Sequence, residues 1–297
     1  MPDGFEDQYL DLLDHLLTHG EPRADRTGVG TLGVFGWTLR ADLDAGLPLV
    51  TTKRVPWHHA VCELFWFLSG DTNIRALVRQ GVHIWTAWPL AAYRAATGSS
   101  VDRDTFEAWI RDDPAFAETW GELGPVYGKQ WRRWPGPDGT PVDQIAALER
   151  GLRERPESRR HLLSAWNPGE LDRMALPPCH VSYQFHVDVG GRLSCLLYQR
   201  SADTFLGLPW NLFEAALLTH LLAAATGHAP GELVWSGGDV HLYRNHVEQA
   251  RTQLARTPTG RPRLQLTPRA TIDAFEPEDV TVSGYDPHPG IPAPIAT

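Results

Sequence analysis

The feature that most constrains the fold is an alternation of apolar and polar side chains from Val181 to Val189. A period of two residues predicts a strand that buries one face. Gly190 and Gly191 follow, and Arg192 to Tyr198 has the composition of a second strand. Two strands joined by a short glycine turn predict a β-hairpin. The chain must therefore build a sheet with a buried face.

The N-terminal part predicts a helix, a strand and a second helix. Between Phe5 and Thr18 the leucines recur at helical spacing, and Gly20 is placed to end that helix. Thr31 to Leu43 is interrupted by glycines but rich in strand-forming residues, and Trp57 to Leu68 is apolar on nearly every side. A helix without a polar face is typical of a buried position.

Later segments predict more helices and an extended tail. Pro89 to Glu122 is rich in Ala, Asp and Arg with helical phasing, which predicts a helical insertion. Asn211 to Thr226 and Leu242 to Leu254 also predict helices. After Tyr285 the prolines exclude a helix, so we expect the tail to be an extended loop.

Composition narrows the class of protein. With 42% hydrophobic residues a large core is available, which excludes disorder of the whole chain. The formal net charge of -9 disfavours binding along a nucleic-acid backbone, because like charges repel over long range. The longest apolar stretch, Ala215 to Ala225, is too short to cross a hydrocarbon core about 30 Å thick. We therefore expect neither nucleic-acid nor membrane binding.

The N-terminus and the cysteines indicate the compartment. Met1 to Leu10 lacks the basic start and the apolar stretch of a signal peptide. The three cysteines, Cys62, Cys179 and Cys195, are an odd number whose spacing matches neither a disulfide framework nor a set of zinc ligands. We expect a cytoplasmic protein without a metal.

Cys179 is a candidate nucleophile. It follows Pro177 and Pro178 and stands just before a predicted strand, where a restrained backbone can present a side chain at the mouth of a sheet. A lone cysteine is more often a small buried hydrophobe. Cys62, in an apolar helix, and Cys195, in a strand, fit that second interpretation.

Several arginines are candidate phosphate ligands. They lie in short polar segments beside Gly, Ser or Thr: Arg26, Arg159, Arg160 and Arg200. Guanidinium groups bind phosphate with bidentate geometry, and hydroxyl groups can assist them. Solvated surface arginines are the alternative, and only convergence in space distinguishes the two interpretations.

Motifs in a fixed order cover nearly the whole chain. They are Asp25–Gly30, Pro48–Arg54, Gly124–Trp131, Ser158–Arg160, Pro178–His180, Tyr198–Ser201, Gly207–Asn211, Gly238–Tyr243 and Gly284–Gly290. In sequence and order they resemble thymidylate synthases, apart from residues 89–122, where relatives differ in length. The resemblance implies an α/β (α+β) fold with a large mixed β-sheet flanked by helices. It also implies one catalytic domain over residues 1–297, with a small helical insertion at about 89–122, and a homodimer formed through the sheet.

By this resemblance the protein methylates dUMP to dTMP, with 5,10-methylenetetrahydrofolate as co-substrate and dihydrofolate as product. Cys179 would add to carbon 6 of the uracil, which makes carbon 5 nucleophilic. The addition needs a thiolate, and we expect nearby arginines to lower the thiol pKa below its free value of about 8.5. The residues implied in catalysis are Cys179, Glu63, Tyr127, Asn211, Arg200 and His180.

The resemblance also implies the residues that hold the nucleotide. They are Arg26, Arg159, Arg160, Arg200, Ser201, Asp203, Asn211, His241 and Tyr243. The counterparts of Arg26, Arg200 and Ser201 hold the phosphate within one subunit. Those of Arg159 and Arg160 reach it from the partner subunit.

Base and sugar have their own implied ligands. The Asn211 amide can donate to the ring carbonyl at position 4 and accept from the imide N–H, a pattern that cytosine reverses. An Asn after a proline is otherwise most often a helix N-cap, and Asn211 can be both. His241 and Tyr243 match residues that hold the sugar 3′-hydroxyl.

The implied folate site draws on several segments. Its residues are Lys53, Ile84, Trp85, Trp88, Asp203, Leu206, Gly207, Trp210 and Ala296. Lys53 is placed to meet the glutamate tail of the folate. The C-terminal tail of the chain is expected to close over both ligands and to exclude water.

Glu63 and Tyr127 are the implied proton-transfer residues. Glu63 lies in an otherwise apolar helix, where a carboxylate costs several kcal/mol unless it is partnered or protonated. Its family counterpart organises water and protonates the pyrimidine and the folate, which needs a raised pKa. Tyr127 matches a residue associated with removal of the carbon 5 proton.

Some positions depart from the family pattern. Trp210 stands where most relatives carry Phe, Ala202 where many carry Cys, and Thr86 where an acid is usual. None of these changes removes a catalytic group, so the implied class of reaction is unaffected.

Other functions share this scaffold. A pyrimidine-nucleotide 5-hydroxymethylase traps the methylene with water, and Trp85, which in methylating relatives shields that intermediate, favours methylation. A non-catalytic nucleotide-binding or RNA-binding regulator is the alternative outside enzymes. Such a regulator could lose Cys179 or Glu63, yet both are present.

Overall fold

The structure, a computed structural model, describes residues 4–25 and 27–295. Its helices are α1 (Phe5–His19), α2 (Trp57–Ser69), α3 (Arg75–Arg79), α4 (Ala87–Thr97), α5 (Arg103–Asp112), α6 (Pro114–Trp120), α7 (Tyr127–Arg132), α8 (Gln144–Glu154), α9 (Gly207–Thr226) and α10 (Val247–Leu254). Its strands are β1 (Glu21–Arg23), β2 (Thr31–Asp42), β3 (Leu162–Ser164), β4 (His180–Val187), β5 (Arg192–Asp203), β6 (Ala229–Tyr243), β7 (Arg263–Leu266) and β8 (Val280–Ser283).

The chain divides into two compact units. The first comprises the described parts of Met1–Ala60, Glu149–Leu162 and Cys179–Thr297, and the second comprises Val61–Leu148 and Leu163–Pro178. The larger sheet has the strand order β1-β2-β6-β5-β4-β3. Strands β5 and β6 are parallel, whereas β2–β6 and β4–β5 are antiparallel. Helices α1 and α9 pack against this mixed sheet, so the predicted α/β fold with a large mixed sheet flanked by helices is confirmed.

The elements predicted for the N-terminal part are present as α1, β2 and α2. Helix α1 ends at Gly20, whose amide donates to the Leu16 carbonyl at 3.1 Å. A Cβ at position 20 would overlap that carbonyl oxygen, so a larger residue would displace the end of the helix. The predicted role of Gly20 is therefore confirmed.

The predicted hairpin consists of β4 and β5. Cys195 and Leu197 on β5 are buried, whereas Leu196 and Tyr198 are 42% and 38% exposed. This alternation is the one expected of a strand with one buried face. Strand β5 is longer than predicted and continues to Asp203, which extends the sheet into a motif that carries predicted site residues.

Helix α9 is buried on nearly every side, as its composition predicts, and begins earlier than predicted, at Gly207. It packs on β5 and β6. The Thr219 side chain lies close to the Cys195 thiol, so the buried face of β5 is the one that faces α9. None of the helices in the described ranges, α9 included, has the length and apolarity to span a membrane.

The helix predicted from Leu242 to Leu254 is wrong at its beginning. Leu242 and Tyr243 are the last residues of β6, and α10 starts only at Val247. No local pattern predicts β6, because its partners are distant in sequence. Strand β2 places Leu32 opposite Leu242, and β5 runs parallel on the other side. A parallel pair lacks the turn that signals a hairpin, so tertiary pairing decides the structure here.

The segment 89–122 belongs to the second unit and is helical, as predicted. Asp102 caps the N-terminus of α5, and Asp113 caps that of α6. Tyr93 on α4 contacts rings of α5 and α6 at centroid distances between 5.0 and 6.0 Å: Phe106, Trp109, Phe116 and Trp120. These aromatic contacts give α4, α5 and α6 a small core of their own.

The tail after Tyr285 has neither helix nor strand as far as Ile295, as its prolines predict. The Tyr285 hydroxyl accepts from the Val55 amide at 2.8 Å and donates to the Val50 carbonyl at 3.2 Å. The His288 amide donates to the Thr51 carbonyl at 2.8 Å. The extended tail is thus fixed to the segment that precedes α2 by backbone contacts.

A cavity in α9 should be costly, because the helix has no solvent-facing side that can relax. Leu217 is 0% exposed, so Leu217→Ala should lower the free energy of unfolding by about 2–5 kcal/mol in urea titrations. Val189→Ala, in the fully exposed turn of the hairpin, is the control and should change it by at most about 0.5 kcal/mol. Equal effects of the two substitutions would contradict this account of the core.

Candidate active site

Cys179 lies directly before β4 and is tied to the neighbouring strand by its own backbone. The Arg200 amide on β5 donates to the Cys179 carbonyl at 2.9 Å. The next residue, His180, pairs with Gln199 in the β4–β5 ladder. The candidate nucleophile therefore has a position fixed by the register of two strands, as a restrained backbone should provide.

The predicted lowering of the Cys179 pKa is wrong for the chain as described. Burial raises the pKa of the thiol, and the Arg200 guanidinium opposes this effect only in part. Desolvation disfavours the charged thiolate more than the charge of Arg200 favours it. Counting arginines along the sequence overestimates their effect, because it ignores how deeply the thiol is buried.

A series of side-chain amides positions Asn211 at the start of α9. The Trp235 indole N–H donates to Gln199 Oε1 at 2.8 Å, and Gln199 Nε2 donates to Asn211 Oδ1 at 3.1 Å. Trp235 and Gln199 are 0% and 2% exposed. Because the indole can only donate, it fixes which end of each amide is the acceptor. The Asn211 Nδ2 group is thereby left pointing away from Gln199.

His180 is a second partner of Asn211. Its ring lies beside the Asn211 side chain, and Nδ1 lies 3.1 Å from the Tyr183 hydroxyl. Burial lowers the pKa of His180 to about 4, and the contact with Asn211 opposes this shift. His180 is therefore neutral near neutral pH and can serve to orient the Asn211 amide.

Ser201, Asp203, His241 and Tyr243 lie on the neighbouring strands β5 and β6, where Asp203 is opposite His241. His241 Nδ1 lies 2.9 Å from Asp239 Oδ1 and therefore donates to it, which leaves Nε2 for another partner. The hydrogen bond from His241 holds the pKa of Asp239 below its usual range. The predicted sugar ligand is thus oriented by a carboxylate.

The predicted phosphate arginines lie in separate segments. Arg200 is on β5, whereas Arg159 and Arg160 are exposed in the loop after α8. Within residues 4–25 and 27–295, neither Arg159 nor Arg160 has an ion pair. Arg26 lies outside the described residues, as does Ala296.

The turn from β5 to α9 contains predicted folate residues. Asp203 Oδ1 accepts from the Phe205 and Leu206 amides at 3.0 and 3.2 Å, which fixes the turn that leads to Gly207. Lys53 is buried, donates to the Phe205 carbonyl and lies over the Phe205 ring. Burial lowers the pKa of Lys53 to about 7, and the charge of Asp203 opposes this shift. The contact of Lys53 with a folate tail stays a prediction.

The described end of the tail reaches the same part of the first unit through His246. His246 Nε2 donates to the Pro294 carbonyl at 2.7 Å, and its ring packs edge-on against Tyr243 at 5.7 Å. His246 Nδ1 is 3.9 Å from Asp203 Oδ1. The tail is therefore linked by one buried histidine to a predicted sugar ligand and a predicted folate ligand.

The predicted residues of the second unit form another group around Glu63. Glu63 is 5% exposed, and the Trp85 indole donates to its Oε1 at 2.5 Å. Ring centroids of Trp88 and Tyr127 lie 5.5 and 6.3 Å from that of Trp85. Ile84 precedes Trp85 and is half-buried. The carboxylate that the sequence predicts to need a partner thus has one in an aromatic surrounding.

Trp210, which the resemblance marks as a departure from the family pattern, lies in the core. It is 9% exposed on α9, and its ring lies 6.4 Å from that of His59. Gln199, Trp235 and His246 are positioning residues to which the sequence analysis gives no role. The position of Gln199 could have been predicted from the alternation along its strand, because it follows Cys195 and Leu197 on the buried face.

No metal centre accompanies these residues in the described ranges, where no cluster of three or more His, Cys, Asp or Glu side chains could hold an ion. Within the part of the chain that the structure describes, Cys62, Cys179 and Cys195 form no disulfide.

Comparison with known proteins identifies the family of the chain. A family model described as thymidylate synthase matches residues 7–297. The chain is 56% identical over 293 residues to the thymidylate synthase of Cereibacter sphaeroides, with 98% of each chain covered. It is 56% identical over 294 residues to that of Zymomonas mobilis, with 98% of this chain and 99% of the relative covered. It is 53% identical over 293 residues to that of Rhodopseudomonas palustris, with 98% of each chain covered. The chain therefore belongs to the thymidylate synthase family.

Proposed function

We propose that the protein is a thymidylate synthase that converts dUMP to dTMP by reductive methylation. The co-substrate, 5,10-methylenetetrahydrofolate, supplies the methylene carbon and the hydride and leaves as dihydrofolate. The observation that carries the proposal is that consecutive residues of β5 hold Cys179 and Asn211, which we propose as the nucleophile and the base reader. The Arg200 amide holds the Cys179 carbonyl, and the Gln199 side chain holds Asn211.

Cys179 acts as the nucleophile. Its thiolate forms a bond to carbon 6 of the uracil, and the electron pair of the 5,6 double bond moves toward the carbonyl at position 4, which activates carbon 5. Reversal of this addition releases the sulfur at the end of the cycle. Arg200 favours the thiolate because its guanidinium lies close enough to lower the thiol pKa against the effect of burial.

Asn211 recognises uracil through both ends of its amide. Its Nδ2 donates to the carbonyl at position 4, and Oδ1 has a second lone pair that can accept from the imide N–H. The Gln199 contact supports this orientation, since it requires Oδ1 to be the acceptor. Arg26, Arg200 and Ser201 bind the phosphate, whereas His241 and Tyr243 hold the 3′-hydroxyl.

Glu63 and Tyr127 perform the proton transfers. The Trp85 indole donates to Glu63 Oε1 and so fixes the orientation of the carboxyl group. Such a carboxyl group can protonate the ring carbonyl as carbon 6 is attacked. Tyr127 assists removal of the carbon 5 proton, and the aromatic rings around Glu63 exclude competing water.

The residues present fit the folate. Trp85 and Trp88, with ring centroids 5.5 Å apart, offer an aromatic surface to a flat pterin ring. Asp203 keeps a partly exposed carboxylate beside the turn to α9, suited to the N–H donors of such a ring. Ile84, Leu206, Gly207 and Trp210 add contacts, Lys53 meets the glutamate tail, and Ala296 belongs to the closing tail.

We infer a homodimer that joins the faces of two sheets. The face of β5 opposite to α9 exposes Leu196 and Tyr198, and Phe35 on β2 is 84% exposed. Apolar side chains on a strand face are typical of a protein interface. Arg159 and Arg160 then contribute to the phosphate site of the partner subunit.

The remaining assignments follow from this activity. We propose that residues 1–297 act as one catalytic domain with residues 89–122 as a helical insertion, since the family model spans both units. A cytoplasmic location is proposed because catalysis needs Cys179 as a free thiol, which a reducing compartment maintains. No role in binding nucleic acid is proposed.

Turnover tests the function directly. Purified protein with dUMP and methylenetetrahydrofolate should produce dTMP, identified by mass, together with dihydrofolate, followed by absorbance. Cys179→Ser should lower kcat at least ~1000-fold, because the hydroxyl is a far weaker nucleophile, while dUMP still binds. A hydroxymethyl nucleotide without dihydrofolate would identify a hydroxymethylase. Nucleotide binding without any turnover would favour the regulator.

The raised thiol pKa predicts the pH dependence of Cys179 reactivity. A thiolate forms only as pH rises through the pKa, so alkylation by iodoacetamide should accelerate with pH, with a midpoint above about 8.5. Arg200→Met removes the opposing charge and should move the midpoint higher. Cys195, whose pKa burial raises to about 12, is the internal control in peptide mass spectra. A midpoint below that of a free thiol would contradict the buried, weakly assisted sulfur.

Mixed dimers test the shared phosphate site. Cys179→Ser and the double variant Arg159→Ala/Arg160→Ala should each be inactive alone. In a dimer of the two, one site combines an intact Cys179 with intact arginines from the other subunit. Random mixing should therefore restore about a quarter of wild-type activity. Dimers that form but recover nothing would show that the arginines act within their own subunit.

A further inference from the structure

Glu107 is a buried carboxylate that the proposed reaction does not use. It lies on α5, within the segment 89–122 of the second unit, and is 4% exposed. Other acids of the same helix are in water: the side chains of Asp104 and Asp112 are 81% and 67% exposed. Burial of a carboxylate raises the free energy of the folded state unless its oxygens are hydrogen-bonded. The partners of Glu107 therefore explain how it is tolerated in the core.

Both oxygens of Glu107 bind the turn His83–Thr86. Oε1 accepts from the Thr86 hydroxyl at 2.6 Å, and Oε2 lies 2.8 Å from His83 Nδ1, which donates to it. The turn is closed by the Thr86 amide, which donates to the His83 carbonyl at 3.1 Å. One side chain of the insertion therefore holds the first and the last residue of this turn.

The turn carries residues that the proposed function uses. Ile84 and Trp85 are its two central residues, and the Trp85 indole donates to Glu63 Oε1 at 2.5 Å. A shift of the turn would move that indole away from the carboxylate. A continuous series of contacts thus runs from Glu107 through the turn and Trp85 to Glu63.

Thr86 is chemically suited to its contact with Glu107. Threonine offers a hydroxyl donor to a carboxylate, whereas an acid at position 86 would place a second negative charge against Glu107. Two carboxyl groups in direct contact cannot both be ionised without a large increase in free energy. The hydroxyl of Thr86 and the carboxylate of Glu107 are therefore complementary.

We propose that Glu107 is a positioning residue, through which the helical insertion holds the turn His83–Thr86 so that Trp85 stays bonded to Glu63 and the folate-facing side chains keep their place. The predicted effect of Glu107 on folate binding rests on the proposed function, whereas its predicted effect on the turn His83–Thr86 is independent of that function. The insertion thereby gains a role in the chemistry without touching a substrate.

The test compares Glu107→Ala and Glu107→Gln with the control Asp104→Ala on the same helix. Without substrates, hydrogen–deuterium exchange of the amides of residues 83–86 should accelerate about 10-fold in Glu107→Ala, because a charge-assisted pair of hydrogen bonds is lost. Glu107→Gln should restore part of the protection, since its amide oxygen still accepts from Thr86. Asp104→Ala should exchange like the wild type.

Steady-state kinetics supply the second readout. In Glu107→Ala, KM for methylenetetrahydrofolate should rise about 10-fold while KM for dUMP changes less than about 2-fold, with partial rescue by Gln. Unchanged exchange at residues 83–86 in both Glu107 variants would overturn the proposal. Equal rises in both KM values would also do so, since they indicate general loosening. If Glu107→Ala fails to fold, Glu107→Gln and Thr86→Val each remove part of the contact and decide the matter by the same two measurements. Lack of turnover in the wild type would refute the proposed function but leave the exchange test intact.

Discussion

The register of β5 against β4 is the constraint on which the candidate site depends. Gln199 points inward to Trp235 and Asn211, and the amide of the next residue, Arg200, holds the Cys179 carbonyl. Because side chains alternate along a strand, a slip of one residue would turn Gln199 outward and break both arrangements at once. The buried alternation of β5 and the packing of α9 on it fix that register. The register that core packing requires is therefore the same register that positions Cys179.

Burial has opposite consequences for the polar groups of this site. It raises the pKa of Cys179, so the resting sulfur is a thiol, and it lowers the pKa of His180 to about 4, so that ring is neutral. A neutral His180 adds no charge beside Asn211, which must recognise the uncharged amide face of uracil. The same low-polarity surroundings strengthen the attraction between Arg200 and a developing thiolate. The site thus favours charge on the sulfur only where a specific cation offsets its desolvation.

Local patterns predict those parts of the fold that alternation, apolar composition or turn residues mark in the sequence. The hairpin of β4 and β5, the N-terminal elements and α9 all follow from periodicity and turn residues. Strand β6 has no such mark, because its pairing with β5 is parallel and lacks a hairpin turn, and its pairing with β2 spans most of the chain. The helix predicted to begin at Leu242 is wrong there for that reason. The resemblance of the motifs predicts which residues form the site. It does not predict how Trp235 and Gln199 orient the Asn211 amide, nor the direction in which the pKa of Cys179 is shifted. These depend on burial, which only the folded chain determines.

Two tryptophans orient buried polar side chains of the candidate site in the same way. The indole N–H of Trp235 binds Gln199, and that of Trp85 binds Glu63. An indole donates one hydrogen bond, accepts none and does not titrate in the physiological range. It therefore fixes one oxygen of a buried amide or carboxyl group in an orientation that does not depend on the protonation state of that group. Its large apolar ring at the same time excludes water from the group it binds. Such a partner suits Glu63 in particular, because a group that must gain and lose a proton during turnover needs an orientation that does not change with its charge.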